Sequence, residues 1–399
     1  MMRVGMYNRW LQTLGGGERY SLAIAEYLSQ SCQVEVISHA PVDMYFAAQR
    51  LGLSLDNVAV KVIPPASVSV LTHLSAQFDL FINASNWDFF HSLAPKSALL
   101  IFFPYHPGNP TWAQIRYQVG RRLNRPALSA IVRALLGKRL SGMQTKLDNL
   151  IDPNFLKAVD SYSQLWVISQ FSQQWTQRYW RRPTHLLYPP VAIEQIQPQP
   201  KQQIILNVGR FFAGNHNKKH LVMIDAFKQL VSQGFEGWEL HLAGGSTPGV
   251  LHEEYLHQVR EASRGLPVHL HVDLDRPALL ELYGKSAIYW HASGFGEDED
   301  KAPHKLEHFG ITTVEAMAAG CVPVVIAKGG QLELVEHEVN GLLWQSMPQL
   351  ISLSASLITD KTHSERLATA AIARSRQFSH AVFNSRLQEL FVQMGVDRA

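Results

Sequence analysis

Two glutamates, Glu307 and Glu315, lie on either side of Gly310, with seven residues between them. The glycine permits a sharp turn, and the sequence after it predicts a helix that Thr312 and Thr313 would cap with their hydroxyls. A helix start offers free N–H groups and the positive end of the helix dipole, which suit a phosphate or diphosphate. One carboxylate would then precede a phosphate-binding turn, and the other would lie in the first helical turn.

In a chain with 33 acidic residues this spacing is not specific by itself, and the flanking sequence decides its meaning. Residues 316–320 are small or flexible enough for close helix packing, and residues 321–327 form an apolar run typical of a buried parallel strand. The stretch Glu-His-Phe-Gly-x4-Glu, followed by Ala-Met-Ala-Ala-Gly-Cys-Val-Pro-Val-Val, closely resembles the donor-site signature of retaining GT-B glycosyltransferases. That family includes bacterial mannosyltransferases, sucrose synthases and eukaryotic lipid-linked-oligosaccharide mannosyltransferases.

The resemblance assigns roles to this stretch. It implies that Glu307 lies beside the donor sugar and that Glu315 accepts hydrogen bonds from the nucleotide ribose. It also implies that the backbone N–H groups at the helix start stabilise the leaving diphosphate. The donor-binding residues expected at this turn are Phe309, Gly310, Ile311 and Thr312.

Two cations that follow the strand predicted at residues 204–208 fit the same resemblance. Arg210 comes directly after a glycine, and Lys218 has the family's offset from the Ala-Phe pair at 226 and 227, with Lys219 as the alternative. The resemblance implies that they clamp the donor diphosphate. A leaving nucleoside diphosphate gains negative charge, which a guanidinium fork and an ammonium both stabilise. We therefore expect the chemistry to require no metal.

Two loops in the first half of the chain are further candidates. Gly15, Gly16 and Gly17 allow a ligand to approach the backbone, but they are not a Gly-x-Gly-x-x-Gly fingerprint, so no nicotinamide cofactor is predicted. His106 lies in a proline-rich loop after the strand predicted at 98–103, where ligands of parallel sheets bind. The resemblance implies that Gly16 and Gly17 contact the donor diphosphate or the acceptor and that His106 touches the donor sugar. From the residues alone, a structural turn and an inert surface loop stay open.

Composition sets broad limits. At 399 residues the chain exceeds one usual core, and 46% hydrophobic with 17% charged residues is ordinary for an α/β protein. Cys32 and Cys321 both lie in apolar segments, which argues against a disulfide framework and for the reducing cytoplasm. The first residues read as a strand rather than a signal peptide, and no apolar run reaches the ~18 residues of a membrane span.

Alternating strands and helices predict an α/β fold with doubly wound parallel sheets. With the resemblance, this becomes a GT-B arrangement of two Rossmann-like domains that face a cleft. The expected parts are an acceptor-side domain at 1–190, a linker at 191–203, a donor domain at 204–378 and a final helix at 379–399 that crosses back to the first domain. The predicted strands are 2–7, 34–38, 58–63, 80–83, 98–103, 165–169, 204–208, 238–243, 268–272, 287–291, 322–327 and 342–344.

Residues 111–150 carry eight basic side chains and a single acid. Such a segment either lies on anionic lipid at the inner face of a membrane or forms a solvated helical pair, and both interpretations stay open. The net charge of +3 and the absence of a recognition motif argue against a nucleic-acid partner. The Asp-x-Asp pairs at 273–275 and 298–300 are interpreted as chance pairs rather than metal sites, and the acidic run 297–300 as a solvated loop.

The sequence therefore predicts a retaining glycosyltransferase. It would move a hexose from a nucleoside-diphosphate sugar to a hydroxyl of a glycan, lipid-linked or small-molecule acceptor. The alternatives are a catalytically silent protein that binds a nucleotide-sugar or glycan, and a different GT-B chemistry such as phosphorolysis or epimerisation.

Overall fold

The computed structural model describes residues 1–85, 88–104 and 153–396. His106 and the basic segment 111–150 lie outside the described residues. Within them, no helix is long and apolar enough to cross a membrane.

The first sheet is built from parallel strands in the order β3-β2-β1-β4-β5-β6-β7. Its strands are β1 (Arg3–Tyr7), β2 (Gln33–Ser38), β3 (Val58–Val62), β4 (Leu80–Asn83), β5 (Lys96–Ile101), β6 (Gln164–Val167) and β7 (His185–Leu186). The described helices of this half are α1 (Gly16–Ser29), α2 (Met44–Leu51), α3 (Val68–Ser75), α4 (Pro153–Asp160) and α5 (Gln170–Trp180). All six strands predicted in this half are present. The short β7 was not predicted, because two residues show no period.

The second sheet is also parallel, in the order β10-β9-β8-β11-β12-β13. Its strands are β8 (Gln202–Val208), β9 (Glu239–Gly244), β10 (Val268–Val272), β11 (Ser286–His291), β12 (Val322–Ile326) and β13 (Leu342–Trp344). The helices of this half are α6 (His220–Ser232), α7 (Val250–Ala262), α8 (Arg276–Lys285), α9 (Ile311–Ala318), α10 (Gln331–Leu334), α11 (Met347–Thr359), α12 (Lys361–Ser375) and α13 (His380–Gln393). The predicted α/β class with two parallel sheets is confirmed.

The apolar core explains these elements. Every residue of β12 is fully buried, as its continuous apolar run predicts for a strand covered on both faces. Along α1, Leu22, Ala25 and Leu28 recur at helical spacing and are buried in one cluster with residues of the second half. Each apolar side chain of this size removed from water contributes about 1.5–3 kcal/mol before its entropy cost is counted.

The last helix, α13, lies against the first half of the chain. Phe391 packs edge-on against Trp166 at 5.7 Å and parallel to Tyr27 at 6.5 Å, measured between ring centroids. The Gln164 side-chain amide donates to the Leu390 carbonyl at 3.2 Å. The two halves are therefore joined by this helix as well as by the segment between β7 and β8.

Candidate active site

The turn at Gly310 depends on glycine. Its φ of +111° lies in the left-handed region, and a Cβ there would lie 2.3 Å from the Gln331 amide nitrogen. Helix α9 begins at the next residue, Ile311, and the N–H groups of Thr313 and Val314 donate to the Gly310 carbonyl at 3.0 and 3.2 Å. The glycine therefore sets the direction in which the helix start faces.

The first N–H groups of α9 are left without a side-chain cap. The predicted capping by the threonine hydroxyls is wrong. The Thr312 hydroxyl shares a hydrogen bond with the Tyr289 hydroxyl at 2.8 Å, and the Thr313 hydroxyl donates to the side-chain oxygen Oε1 of Gln331 at 2.9 Å. Within the described residues, the N–H groups of Ile311 and Thr312 have no hydrogen-bond partner. A helix start in this state suits an anion.

Glu307, before the turn, forms a compact charged cluster. Its Oε2 lies 2.5 Å from Lys218 Nζ and 3.2 Å from His291 Nε2. The Glu307 and Lys218 side chains are 18% and 19% exposed, so both can still contact a ligand. Burial by itself would raise the pKa of Glu307, but the Lys218 charge and the contact with His291 hold that pKa well below its usual value.

The other two predicted cations lie nearby but do not reach Glu307. Lys219 has a φ of +59°, and its ammonium contacts Glu297 at 2.8 Å. Glu297 also contacts Lys305 at 3.1 Å, and the run 297–300 is a partly to fully exposed loop, as predicted. Arg210 is exposed, with its guanidinium carbon 5.4 Å from the centre of a phenylalanine ring. The geometry favours Lys218 over Lys219 as the lysine of this cluster.

Glu315 is buried, with 4% of its side chain exposed. Its Oε1 accepts from Arg276 at 2.8 Å and from Arg19 at 3.4 Å, and its Oε2 accepts from the Tyr283 hydroxyl at 3.1 Å. Burial alone would raise the pKa of Glu315, but the two guanidinium groups outweigh it and lower that pKa. In this structure the carboxylate of Glu315 is therefore enclosed by protein partners, and its hydrogen bonding to a ribose stays a prediction.

The glycine loop lies opposite the Gly310 turn. Helix α1 begins at Gly16, and the carboxylate of Glu18 accepts from the N–H of Gly15 at 2.9 Å. A Cβ at Gly16 would lie 3.4 Å from Ile311 Cδ1, and a Cβ at Gly17 would lie 3.3 Å from a phenylalanine ring. The starts of α1 and α9 are therefore close together, one from each half of the chain. Contact of the loop with a donor or acceptor stays a prediction.

His308 is partly buried and Phe309 is buried. His308 stacks on Phe103 with ring centroids 4.3 Å apart, and His216 meets its edge at 5.1 Å. Burial lowers the pKa of His308 to about 3, so the imidazole is neutral. Phe309 is 2% exposed and packs near Tyr188 at 5.6 Å. The predicted donor contact of Phe309 can therefore be made only by its backbone.

The glycine pair after β12 fixes the backbone before the turn. A Cβ at Gly329 would lie 2.5 Å from the Glu307 carbonyl oxygen, and one at Gly330 would lie 2.5 Å from that of His308. The N–H of Gly330 donates to the Glu307 carbonyl at 2.8 Å. These glycines let the two backbone segments approach closely, and they hold the Glu307 segment in place.

The four aspartates of the Asp-x-Asp pairs each have a protein partner. That no metal binds them stays a prediction, and their contacts account for them as parts of turns and of a helix cap. The contacts join Asp273 to Ser246, Asp275 to the N–H of Ala278, Asp298 to Lys301 and Asp300 to Arg178.

Four residues of the site were missed from the sequence: Arg19, Arg276, Tyr283 and His291. Arg19 carried a weak signal, because it is the one cation of α1 and is buried there among mostly apolar residues. His291 ends β11, where the carboxyl end of a strand already favours function. Arg276 and Tyr283 lie on a short helix with no distinguishing pattern.

The part of the chain that carries this site matches a known protein family. Residues 191–374 match the family described as Glycosyl transferases group 1, a range that contains Lys218, Glu307, Gly310 and Glu315. Over 211 residues the chain is 26% identical to the human alpha-1,3/1,6-mannosyltransferase ALG2, which is 50% of this chain and 47% of ALG2. The chain thus spans about half the length of the curated relatives it matches.

Solved structures match the chain over almost its whole length. The structure of Anabaena HepE in complex with UDP and glucose aligns with 98% of this chain and 100% of the HepE chain, at a TM-score of 0.66 and 16% identity. A glycosyltransferase from Rickettsia africae covers 98% of each chain at a TM-score of 0.67 and 14% identity. The sucrose-phosphate synthase of Thermosynechococcus elongatus covers 99% of each chain at 0.65 and 18%. The fold is the GT-B fold, with two parallel-sheet α/β domains.

Proposed function

We propose that this protein is a glycosyltransferase that moves a hexose from a nucleoside-diphosphate sugar to a hydroxyl of a glycan, lipid-linked or small-molecule acceptor, with retention of configuration. The observation that carries the proposal is the arrangement around Gly310. Helix α9 begins directly after this glycine with two unpaired N–H groups, and three residues before it the carboxylate of Glu307 pairs with the ammonium of Lys218. The family match at 191–374 and the mannosyltransferase relatives support it.

The proposed role of each residue follows from the charge that develops on the donor during the reaction. As the glycosidic bond breaks, the diphosphate gains negative charge, which Lys218, Arg210 and the helix start stabilise. The sugar gains oxocarbenium character, which the carboxylate of Glu307 stabilises from nearby. His291 holds that carboxylate in place: burial lowers the pKa of the imidazole, so it is neutral, and its Nε2–H donates to Glu307.

Without donor, Lys218 and Glu307 neutralise each other across 2.5 Å. A diphosphate that accepts from Lys218 would partly release Glu307 toward the sugar. Both members of the ion pair would then serve in the reaction, one at each end of the bond that breaks. The protein cations supply the positive charge, and no metal is required in this scheme.

Donor binding is the first test. A ligand present at about 100 times its Kd adds about 2.7 kcal/mol of stability, so a thermal-shift panel of UDP-, GDP- and ADP-sugars identifies the base and the hexose. Transfer to an acceptor is then measured with the sugar that binds. Binding without transfer or hydrolysis would identify a silent binding protein. Release of sugar phosphate or of an epimerised sugar would identify phosphorolysis or epimerisation.

We also propose a cytoplasmic protein that meets the inner face of a membrane through the basic segment 111–150, which lies outside the described residues. The eight basic side chains and single acid of that segment favour it. Co-sedimentation with anionic liposomes should be strong at low salt and should fade at high salt, because screening weakens surface electrostatics. Equal recovery on neutral and anionic lipid would overturn it.

A further inference from the structure

Four side chains of metal-binding type lie together on the second sheet, far along the chain from the Gly310 turn. Glu239 and His241 belong to β9, and His269 and His271 belong to β10. Residues two apart in a strand project from the same face, and His241 is paired with His269 in the register of the two strands. All four therefore lie on one face. β10 is an edge strand of this sheet.

Three of these side chains already have their ligand atoms close together. Glu239 Oε2 lies 3.0 Å from His241 Nε2 and 3.6 Å from His269 Nε2, and the ligand atoms all lie within 4.8 Å of one another. Tetrahedral zinc with bonds of about 2.0–2.1 Å places its ligands roughly 3.3 Å apart. The His241 side chain is 11% exposed and fixed, whereas Glu239 and His269 are about half exposed and can adjust.

The fourth side chain orients the buried histidine. His271 Nε2 lies 3.0 Å from His241 Nδ1. When His241 Nε2 binds a metal, its Nδ1 carries the proton and donates it to His271. Ligating histidines usually have such an outer partner, which fixes the tautomer and the ring orientation.

We propose that Glu239, His241 and His269 bind one divalent transition-metal ion, with water in the remaining position. Two imidazoles and one carboxylate favour zinc and its neighbours over magnesium or calcium. The ion links β9 to the edge strand β10 and stabilises the sheet there. It takes no part in sugar transfer, because the cluster lies within β9 and β10, whereas the candidate active site lies at the carboxyl ends of other strands, with His291 as the last residue of β11 and Arg210 two residues after β8.

Metal titration tests the proposal without an activity assay. Untagged protein is stripped with EDTA, dialysed, and titrated with ZnCl2 by calorimetry and with CoCl2 by visible absorption. We expect one ion per chain, an intense tetrahedral cobalt spectrum and no binding of MgCl2 under the same conditions. His271→Ala should weaken zinc binding about 10–100-fold, the usual effect of losing an outer partner. His269→Ala should weaken it at least as much.

His257→Ala is the matched control, since His257 is exposed and lies 3.7 Å from Glu261 in a helix. It should bind zinc like the parent. His269 is half exposed, so its variant should fold, and circular dichroism checks this. Failure of the parent to bind zinc, or parental affinity in folded His269→Ala, would overturn the proposal and leave a metal-free hydrogen-bond network. Neither result bears on sugar transfer.

Discussion

Glu307 and Glu315 belong to one short motif, yet their surroundings differ. Glu307 has one lysine and one neutral histidine as partners, and its side chain is 18% exposed. Glu315 is 4% exposed and is held by Arg19 and Arg276, which come from different halves of the chain. The pair of Glu307 and Lys218 is accessible enough to exchange a partner with an arriving ligand. The contacts of Glu315 with Arg19 and Arg276 join the two halves of the chain.

The two arginines that pair with Glu315 leave some of their nitrogen atoms without a hydrogen bond. Among the described residues, Nε and Nη2 of Arg19 and Nη2 of Arg276 are buried without a hydrogen-bond partner. Buried guanidinium groups are costly unless a charge compensates them, so Glu315 supports both. One motif thus places a partly exposed carboxylate, for which we propose a role in the chemistry, close to a buried carboxylate at the junction of the two halves, and variants of each should behave differently.

The largest effect on stability is expected for Glu315→Ala. It leaves the buried guanidinium group of Arg19 and the partly buried one of Arg276 without their carboxylate, and breaking a buried pair costs about 3–5 kcal/mol. Urea unfolding of parent and variant measures this. Glu338→Ala is the control, because that exposed carboxylate contacts only the surface residues His363 and Arg366 and should cost at most about 1 kcal/mol. Equal losses in the two variants would contradict the junction role.

Lys218→Ala should lower the turnover of sugar transfer rather than the stability of the fold. Loss of one preorganised donor to the leaving group costs about 10²–10³-fold in turnover, and Arg210→Ala should fall in the same range. The effect should exceed any loss of donor affinity, because the charge develops in the transition state. Lys219→Ala is the matched control, since its ammonium contacts Glu297 rather than Glu307. The measurement is sugar transfer at saturating donor. Near-parental turnover in Lys218→Ala and Arg210→Ala would contradict the proposed mechanism.

The features that could be predicted from the sequence are those that a local pattern of residues determines. The apolar run of β12, the turn at Gly310 and the position of Lys218 after β8 all depend on residues close together in the chain. The contact between Arg19 and Glu315 joins residues 296 positions apart, and no local period indicates it. The threonine hydroxyls were assigned to the helix cap because capping is their local preference, but Tyr289 and Gln331 compete for them in the fold.

Acid unfolding should distinguish the two carboxylates further. The pKa of each is lowered in the folded protein, so each contributes stability that is present above the ordinary value of 4.5 and is lost as pH falls through the lowered pKa. Lys218→Met should raise the pKa of Glu307 and move acid unfolding to higher pH. Arg276→Met should move it less, because Arg19 still pairs with Glu315. Circular dichroism across pH 2–6 (roughly the range in which carboxyl groups titrate) measures both. An unchanged midpoint in Lys218→Met would contradict the effect of the ion pair.

The smallest effect is expected for metal removal on sugar transfer. In the proposed mechanism Lys218, Arg210 and the start of α9 would supply the positive charge at the diphosphate, so EDTA should leave the transfer rate unchanged at a temperature well below unfolding. The proposed ion at His241 and His269 would instead be felt in stability, because a ligand that binds only the folded state raises the unfolding temperature. EDTA should therefore lower the unfolding temperature of the zinc-loaded parent but not that of His269→Ala. A transfer rate abolished by EDTA in both proteins would contradict the metal-free mechanism, since His269→Ala lacks the proposed ion and any metal lost from it must act elsewhere.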